Sequence, residues 1–141
     1  MSVVPKLVQR ALLAALLVTL CQCSFGPSAA EKAEAGRISR AIDLLRDAPN
    51  AQKSELFGQL QSAGCEAPDL CELKRQCEAG YAQHLSGLEQ TARAKALLAD
   101  GGAEAEVLAA LDSAHRSLAE AEPQIAKCAD AQGVAHRKYK F

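Results

Sequence analysis

The sequence predicts an all-α fold: a disulfide-stapled antiparallel hairpin of two long helices, packed with two shorter N-terminal helices in a four-helix-bundle-like arrangement. Three observations predict it. Apolar residues recur at helical spacing through most of the chain, and no convincing stretch shows the period of two that strands require. Alanine, a strong helix former, accounts for 29 of the 141 residues. Because alanine buries little area, the core is thin and we expect it to need disulfides.

The first two predicted helices are short. Ser28 and Glu31 have the spacing of a capping box, which satisfies free amides at a helix start. Pro49 ends the first helix, because proline disfavours a helical conformation in the residue before it. Asn50 is predicted to cap the second helix, which stops at Gly64.

The two long helices are predicted to form the hairpin. Pro68 suits the first position of the third helix, which runs to about Ala99. Its apolar seam consists of Leu70, Leu73, Cys77, Tyr81, Leu85, Leu88 and Ala92. After a turn at Asp100-Gly-Gly102, the fourth helix has apolar residues in alternating steps of four and three, as in a coiled coil. They are Val107, Leu111, Ala114, Leu118, Ala121, Ile125 and Cys128. Pro123 is expected to kink this helix.

Residues 1–23 are predicted to be a signal segment. Two basic residues precede about ten mostly apolar ones, which is the pattern of a secretory signal peptide. The apolar run is too short to span a bilayer, which needs roughly 20 residues. Two processing routes remain open. One is lipidation of Cys21 or Cys23, as in a bacterial lipoprotein, although neither cysteine has ideal neighbours. The other is ordinary cleavage after a small residue, as late as Ala30.

The rest of the chain is predicted to be one helical domain over residues 24–135, followed by a basic C-terminal tail over 136–141. We expect the tail to be frayed past Gly133, with charges that complement the helix C-terminus. Contact with anionic lipid or an acidic partner is the alternative. Without the signal, the chain has 14 basic and 17 acidic residues, and this net charge of −3 argues against a nucleic-acid partner.

Four cysteines beyond the signal predict two disulfides, since an even number is typical of a small exported domain. If the hairpin turns near residues 101 and 102, Cys77 and Cys128 come closest to facing each other, and both lie on apolar seams. This favours Cys77–Cys128, with Cys65–Cys71 tying the incoming loop to the third helix. The rival pairing is Cys71 with Cys128.

A metal-binding helical bundle is the alternative to a purely structural role for the cysteines. Its ligands would be Cys71, Cys77, Cys128 and histidines. Under the rival disulfide pairing, His84 and His115 would meet across the hairpin; under the favoured pairing they lie about 9 Å apart along the helices. The cysteine spacings match neither C-x-x-C nor the usual zinc ligand pairs.

The sequence offers no convincing catalytic group. It contains no G-x-S-x-G, no H-E-x-x-H and no phosphate-binding loop. Its close pairs of glutamates are two residues apart, and such side chains do not face each other on a helix. We therefore expect neither enzymatic activity nor a cofactor.

The predicted function is that of an exported, non-catalytic protein of the bacterial cell envelope, in the periplasm or tethered to the inner or outer membrane by a lipidated cysteine. It would act as an interaction module (adaptor, chaperone-like or inhibitor-like) for an unknown envelope protein. Leu97, Leu98 and Leu108 near the hairpin turn are the candidate partner contacts, as an exposed apolar tip. The competing interpretation, which we favour from sequence, is that they pack against the first two helices.

Overall fold

The computed structural model describes residues 26–141 and shows the predicted all-α fold. The helices follow in the order α1 (Ala29–Asp47), α2 (Asn50–Ser62), α3 (Pro68–Ala99) and α4 (Glu104–Tyr139). The long helices α3 and α4 form an antiparallel hairpin with the most extensive contact in the fold. The predicted signal segment, with Cys21 and Cys23, lies outside the described residues. Among those described, no helix combines the length and apolar character needed to cross a membrane.

The starts of the two short helices follow different local chemistry. At α1, the Ser28 side chain accepts from the Glu31 N–H at 3.2 Å, and the Ser28 N–H donates to the Glu31 carboxylate at 2.7 Å. This is the predicted capping box. At α2, Pro49 occupies the N-cap position in an extended conformation, and no side chain caps this end. The prediction that Asn50 caps α2 is therefore wrong, because Asn50 is already the first residue of the helix.

The helices α1 and α2 cover only the half of the hairpin near its open end. There the buried core combines residues of all four helices, among them Ile38, Ile42, Leu45, Leu60, Leu70, Cys77, Tyr81 and Cys128. We call this part the body, comprising residues 26–88 and 123–141. The remaining two-helix part of the hairpin, residues 89–122, is called the arm.

Two glycines of α3 allow close approach to α4. A Cβ added at Gly80 would lie 3.0 Å from the backbone nitrogen of Ile125. One added at Gly87 would lie 2.6 Å from Cγ of Leu118. These contacts fix the register of the hairpin, and they agree with the register in which Cys77 faces Cys128.

The predicted apolar seams differ from the observed ones within the arm. Ala92 and Leu111 are exposed, whereas Ala94 and Ala110 are buried in their place. The physical reason is the close approach of the two helices. Small side chains face the opposite helix, and the larger leucine lies on the flank of the contact. The predicted seam positions Ala92 and Leu111 are therefore wrong.

The C-terminal end of α4 is ordered, unlike the predicted frayed tail over residues 136–141. The helix continues through Pro123 and past Gly133 to Tyr139, which is fully buried. The Tyr139 hydroxyl donates to Oδ1 of Asp69 at 2.8 Å, and Lys138 Nζ donates to Oδ2 at 2.7 Å. Asp69 lies in the first turn of α3, so these bonds fasten the end of the chain to the start of the hairpin.

The Asp69 cluster predicts a pH dependence of stability. Burial raises the pKa of Asp69, but hydrogen bonds from Lys138 and Tyr139 outweigh burial, and the pKa falls below its ordinary value of 3.8. A carboxylate whose pKa is lowered by folding stabilises the fold above its unfolded pKa, and this contribution is lost as the pH falls through the folded value. Asp69→Asn should therefore be less stable than the parent at pH 7. The difference should shrink at pH 3, as measured by urea denaturation.

The contributions of the other carboxylates to the pH dependence cancel in the comparison between Asp69→Asn and the parent, because both proteins share them. An equal difference in unfolding free energy at pH 7 and pH 3 would contradict the assigned role of the Asp69 charge.

Candidate interaction surface

The structure contains both of the disulfides that the sequence favours. Cys77 and Cys128 are bonded across α3 and α4 and are buried. Cys65 and Cys71 tie the loop before α3 to its first turns. All four cysteines of the described residues are therefore bonded and are not available as metal ligands. The two disulfides indicate an oxidising compartment outside the cytoplasm.

The histidines do not come together. His84 is half-buried on α3, where burial and then the nearby charge of Lys53 lower its pKa. His115 is exposed on α4, and His136 stacks on Phe141 with ring centroids 4.1 Å apart. Across residues 26–141 no group of three or more His, Cys, Asp or Glu side chains is placed to hold a metal ion. No feature of this region supports the metal-binding alternative.

Two buried charged side chains in the body bind helix ends. Lys53 Nζ donates to the carbonyls of Leu45 and Arg46 at 2.8 and 2.9 Å, in the last turn of α1. Burial lowers the pKa of Lys53. Glu34 accepts hydrogen bonds from two N–H groups at the start of α3, one of them that of Ala67 at 3.2 Å. Neither residue carries a sequence signal that predicts this role. Each satisfies backbone groups that a helix end leaves free.

The leucines near the hairpin turn do not pack against α1 and α2. Leu98 is 64% exposed, Leu108 56% and Leu111 44%, while Leu97 is half-buried. The favoured interpretation from the sequence is wrong here, because α1 and α2 pack on the half of the hairpin near its open end and leave the arm uncovered. Leu111 was assigned to the seam, so its exposure was not anticipated.

On α4, the exposed Leu111 and the half-buried Leu118, which also packs against Gly87, lie on the face that α1 covers in the body. Leu111 and Leu118 occupy the heptad position of Ile125 and Gln132 further along the helix. In the body this face meets α1: Ile125 packs against the core, and the Gln132 amide donates to the Asp43 carboxylate of α1 at 2.9 Å. Leu111 and Leu118 therefore continue, beyond the last residue of α1, the surface on which α1 packs. Leu108 adjoins them, one turn from Leu111.

On α3, the same face continues into the arm. Leu98 has the heptad position of Cys77, and Leu88 has that of Tyr81, two residues of the body core. Leu88 also lines a groove of about 500 Å³ with Phe57 of α2, at the junction of body and arm. We call the combined surface the arm face; it consists of the exposed Leu98, Leu108 and Leu111, the half-buried Leu118, and the half-buried Leu88 where the body meets the arm.

Comparisons with protein-family models, with curated proteins and with solved structures find no match for this chain. The geometry alone defines its class. The chain is a small disulfide-bonded helical protein with a packed four-helix body and an exposed two-helix arm.

Proposed function

We propose that this protein is an exported, non-catalytic interaction module of the bacterial cell envelope, which binds a partner protein through the arm face. The observation that carries the proposal is the exposure of Leu98, Leu108 and Leu111 on one uncovered face. Apolar side chains that are exposed together on one uncovered face favour an interaction site, whereas leucines scattered singly over a surface do not. The body, held by two disulfides, would present the arm as a stiff projection.

Two observations support the proposed location of the module. Disulfides need an oxidising compartment, and the periplasm is one. The predicted signal would deliver the chain there, and lipidation at Cys21 or Cys23 would tether it to the inner or outer membrane. A tethered adaptor, chaperone-like or inhibitor-like protein can then hold its arm toward a partner protein in the same compartment.

Site-specific photo-crosslinking in the cells that export the protein tests this proposal. A photoreactive residue is placed at position 98, 108 or 111, and at position 44 as the matched control. Leu44 is 48% exposed, like the arm leucines, but lies on α1 in the body. We expect a discrete protein adduct from the arm positions and none from position 44. Adducts from position 44 alone, or from no position, would overturn it.

The variant Leu98→Asp gives a second readout in the same cells. Since Leu98 is exposed, the charge should leave the amount of folded protein unchanged while it reduces the adduct formed at position 111. If Leu98→Asp instead fails to fold, Leu98 belongs to the packing of the protein and not to a binding surface.

A further inference from the structure

We infer that the arm face receives an amphipathic helix with cationic flanks, supplied by a partner protein and packed along the arm as α1 packs along the hairpin within the body. This inference rests on the proposed function and names the kind of partner that the same surface fits. Three observations support it: the shape of α1, the continuation of its packing surface into the arm, and the charge of the arm.

The shape is given by α1 itself. Ile38, Ile42 and Leu45 form one apolar stripe of α1, and each is fully buried against the hairpin. The helix ends at Asp47, yet the face it occupies continues into the arm through Leu111 and Leu98. A helix with the same apolar stripe would find a similar packing surface in the arm, where α1 does not cover it.

The charge of the arm favours a helix with cationic residues along its α4 edge; on the α3 edge the exposed Lys95 follows Leu88 by one heptad. Residues 89–122 hold seven acidic and three basic residues, a net charge of −4, whereas the described residues of the body hold 10 acidic and 11 basic ones. Asp112 already pairs with Arg116 at 3.2 Å. Glu104 and Glu122, beside the leucines of α4, make no ion pair within the described part of the chain. Lysine or arginine flanking an apolar stripe would complement these two carboxylates.

The same charge disfavours two other occupants. A second copy would bring an arm of net charge −4 against another of the same charge, and like charges across an interface oppose binding. An anionic lipid surface is disfavoured for the same reason, because such surfaces attract basic segments.

Binding of synthetic peptides to the folded, disulfide-bonded protein tests the inference. One fluorescent helical peptide carries leucines at the spacing of Ile38, Ile42 and Leu45 with lysines elsewhere. A second replaces the lysines by glutamates, and a third scrambles the lysine peptide so that its leucines no longer form a stripe. Fluorescence anisotropy at physiological salt should show binding of the first peptide, at least about tenfold weaker binding of the scrambled one, and none of the glutamate peptide.

Protein variants locate the binding. Leu111→Ser should weaken binding of the lysine peptide by about tenfold or more, because a buried leucine contributes more than one factor of ten in affinity. Leu44→Ser, a similarly exposed leucine of the body, should leave it unchanged. Glu122→Gln should weaken it less than Leu111→Ser and reduce its dependence on salt.

Two results with the peptides would overturn the inference: equal binding of the lysine and glutamate peptides, or equal effects of Leu111→Ser and Leu44→Ser. Two results with other occupants would also overturn it. One is a dimer in sedimentation that Leu111→Ser dissociates, and the other is binding to vesicles of anionic lipid that Leu111→Ser abolishes. If crosslinking at the arm succeeds while the lysine peptide does not bind, the proposed function stands and the partner class alone is wrong. If both fail, both are wrong.

Discussion

Replacing Cys77 and Cys128 together by alanine is expected to lower the free energy of unfolding by about 4 kcal/mol. This bond joins residues 51 positions apart, and closing so long a loop removes much of the conformational entropy of the unfolded chain. A domain of this size has a total stability of about 5–15 kcal/mol, so the loss is a large share of it. Urea denaturation followed by helical circular dichroism measures the difference.

The matched control is the double variant Cys65→Ala/Cys71→Ala. That bond closes a separation of only 6 residues, and the same reasoning gives a loss of about 2 kcal/mol. A loss in the control that equals or exceeds the loss for Cys77 and Cys128 would contradict the role of the buried bond as the clamp of the hairpin.

Gly80→Ala is expected to destabilise the protein by about 2 kcal/mol, although alanine normally favours a helix. The added methyl group would meet the backbone of α4 at Ile125, at 3.0 Å, and backbone atoms cannot rotate away as a side chain can. The hairpin would have to open locally or shift its register. Urea denaturation of the purified variant measures the change in the free energy of unfolding.

Gly58→Ala is the control for this effect of helix propensity. Gly58 lies within α2, and a Cβ at that position would meet nothing within 4 Å. The substitution should therefore stabilise the protein by up to about 1 kcal/mol. If Gly80→Ala stabilises the protein as Gly58→Ala does, the two long helices do not approach as closely as described.

The parts of the fold that sequence predicted correctly depend on local patterns or on a short turn. The capping box of Ser28 and Glu31 involves residues within one helical turn. The pairing of Cys77 with Cys128 followed from counting outward from the hairpin turn, because two antiparallel helices joined by a tight turn have a nearly fixed register. These features need no knowledge of how distant elements pack.

The parts that sequence missed depend on packing between distant elements. Tyr139 is hydrogen-bonded to Asp69, which is 70 positions away in the sequence. The basic C-terminal segment by itself gives no sign of this contact, so it was predicted to be frayed. The exchange of Leu111 for Ala110 at the interhelical contact is a shift of one position, decided by how closely the helices approach where Ala94 and Ala110 are buried. The same holds for the candidate surface, because where α1 ends along the hairpin decides which leucines stay uncovered.

The unfolding free energy of the triple variant Leu98→Ser/Leu108→Ser/Leu111→Ser tests most directly whether the arm leucines serve binding instead of folding. Because all three are exposed, we expect a value within about 1 kcal/mol of the parent. Ile42→Ala, in the body core, serves as the reference and should lose about 2–5 kcal/mol in the same measurement. A loss in the triple variant as large as that of Ile42→Ala would rule out the arm leucines as a binding surface, because they would then be part of the packed fold.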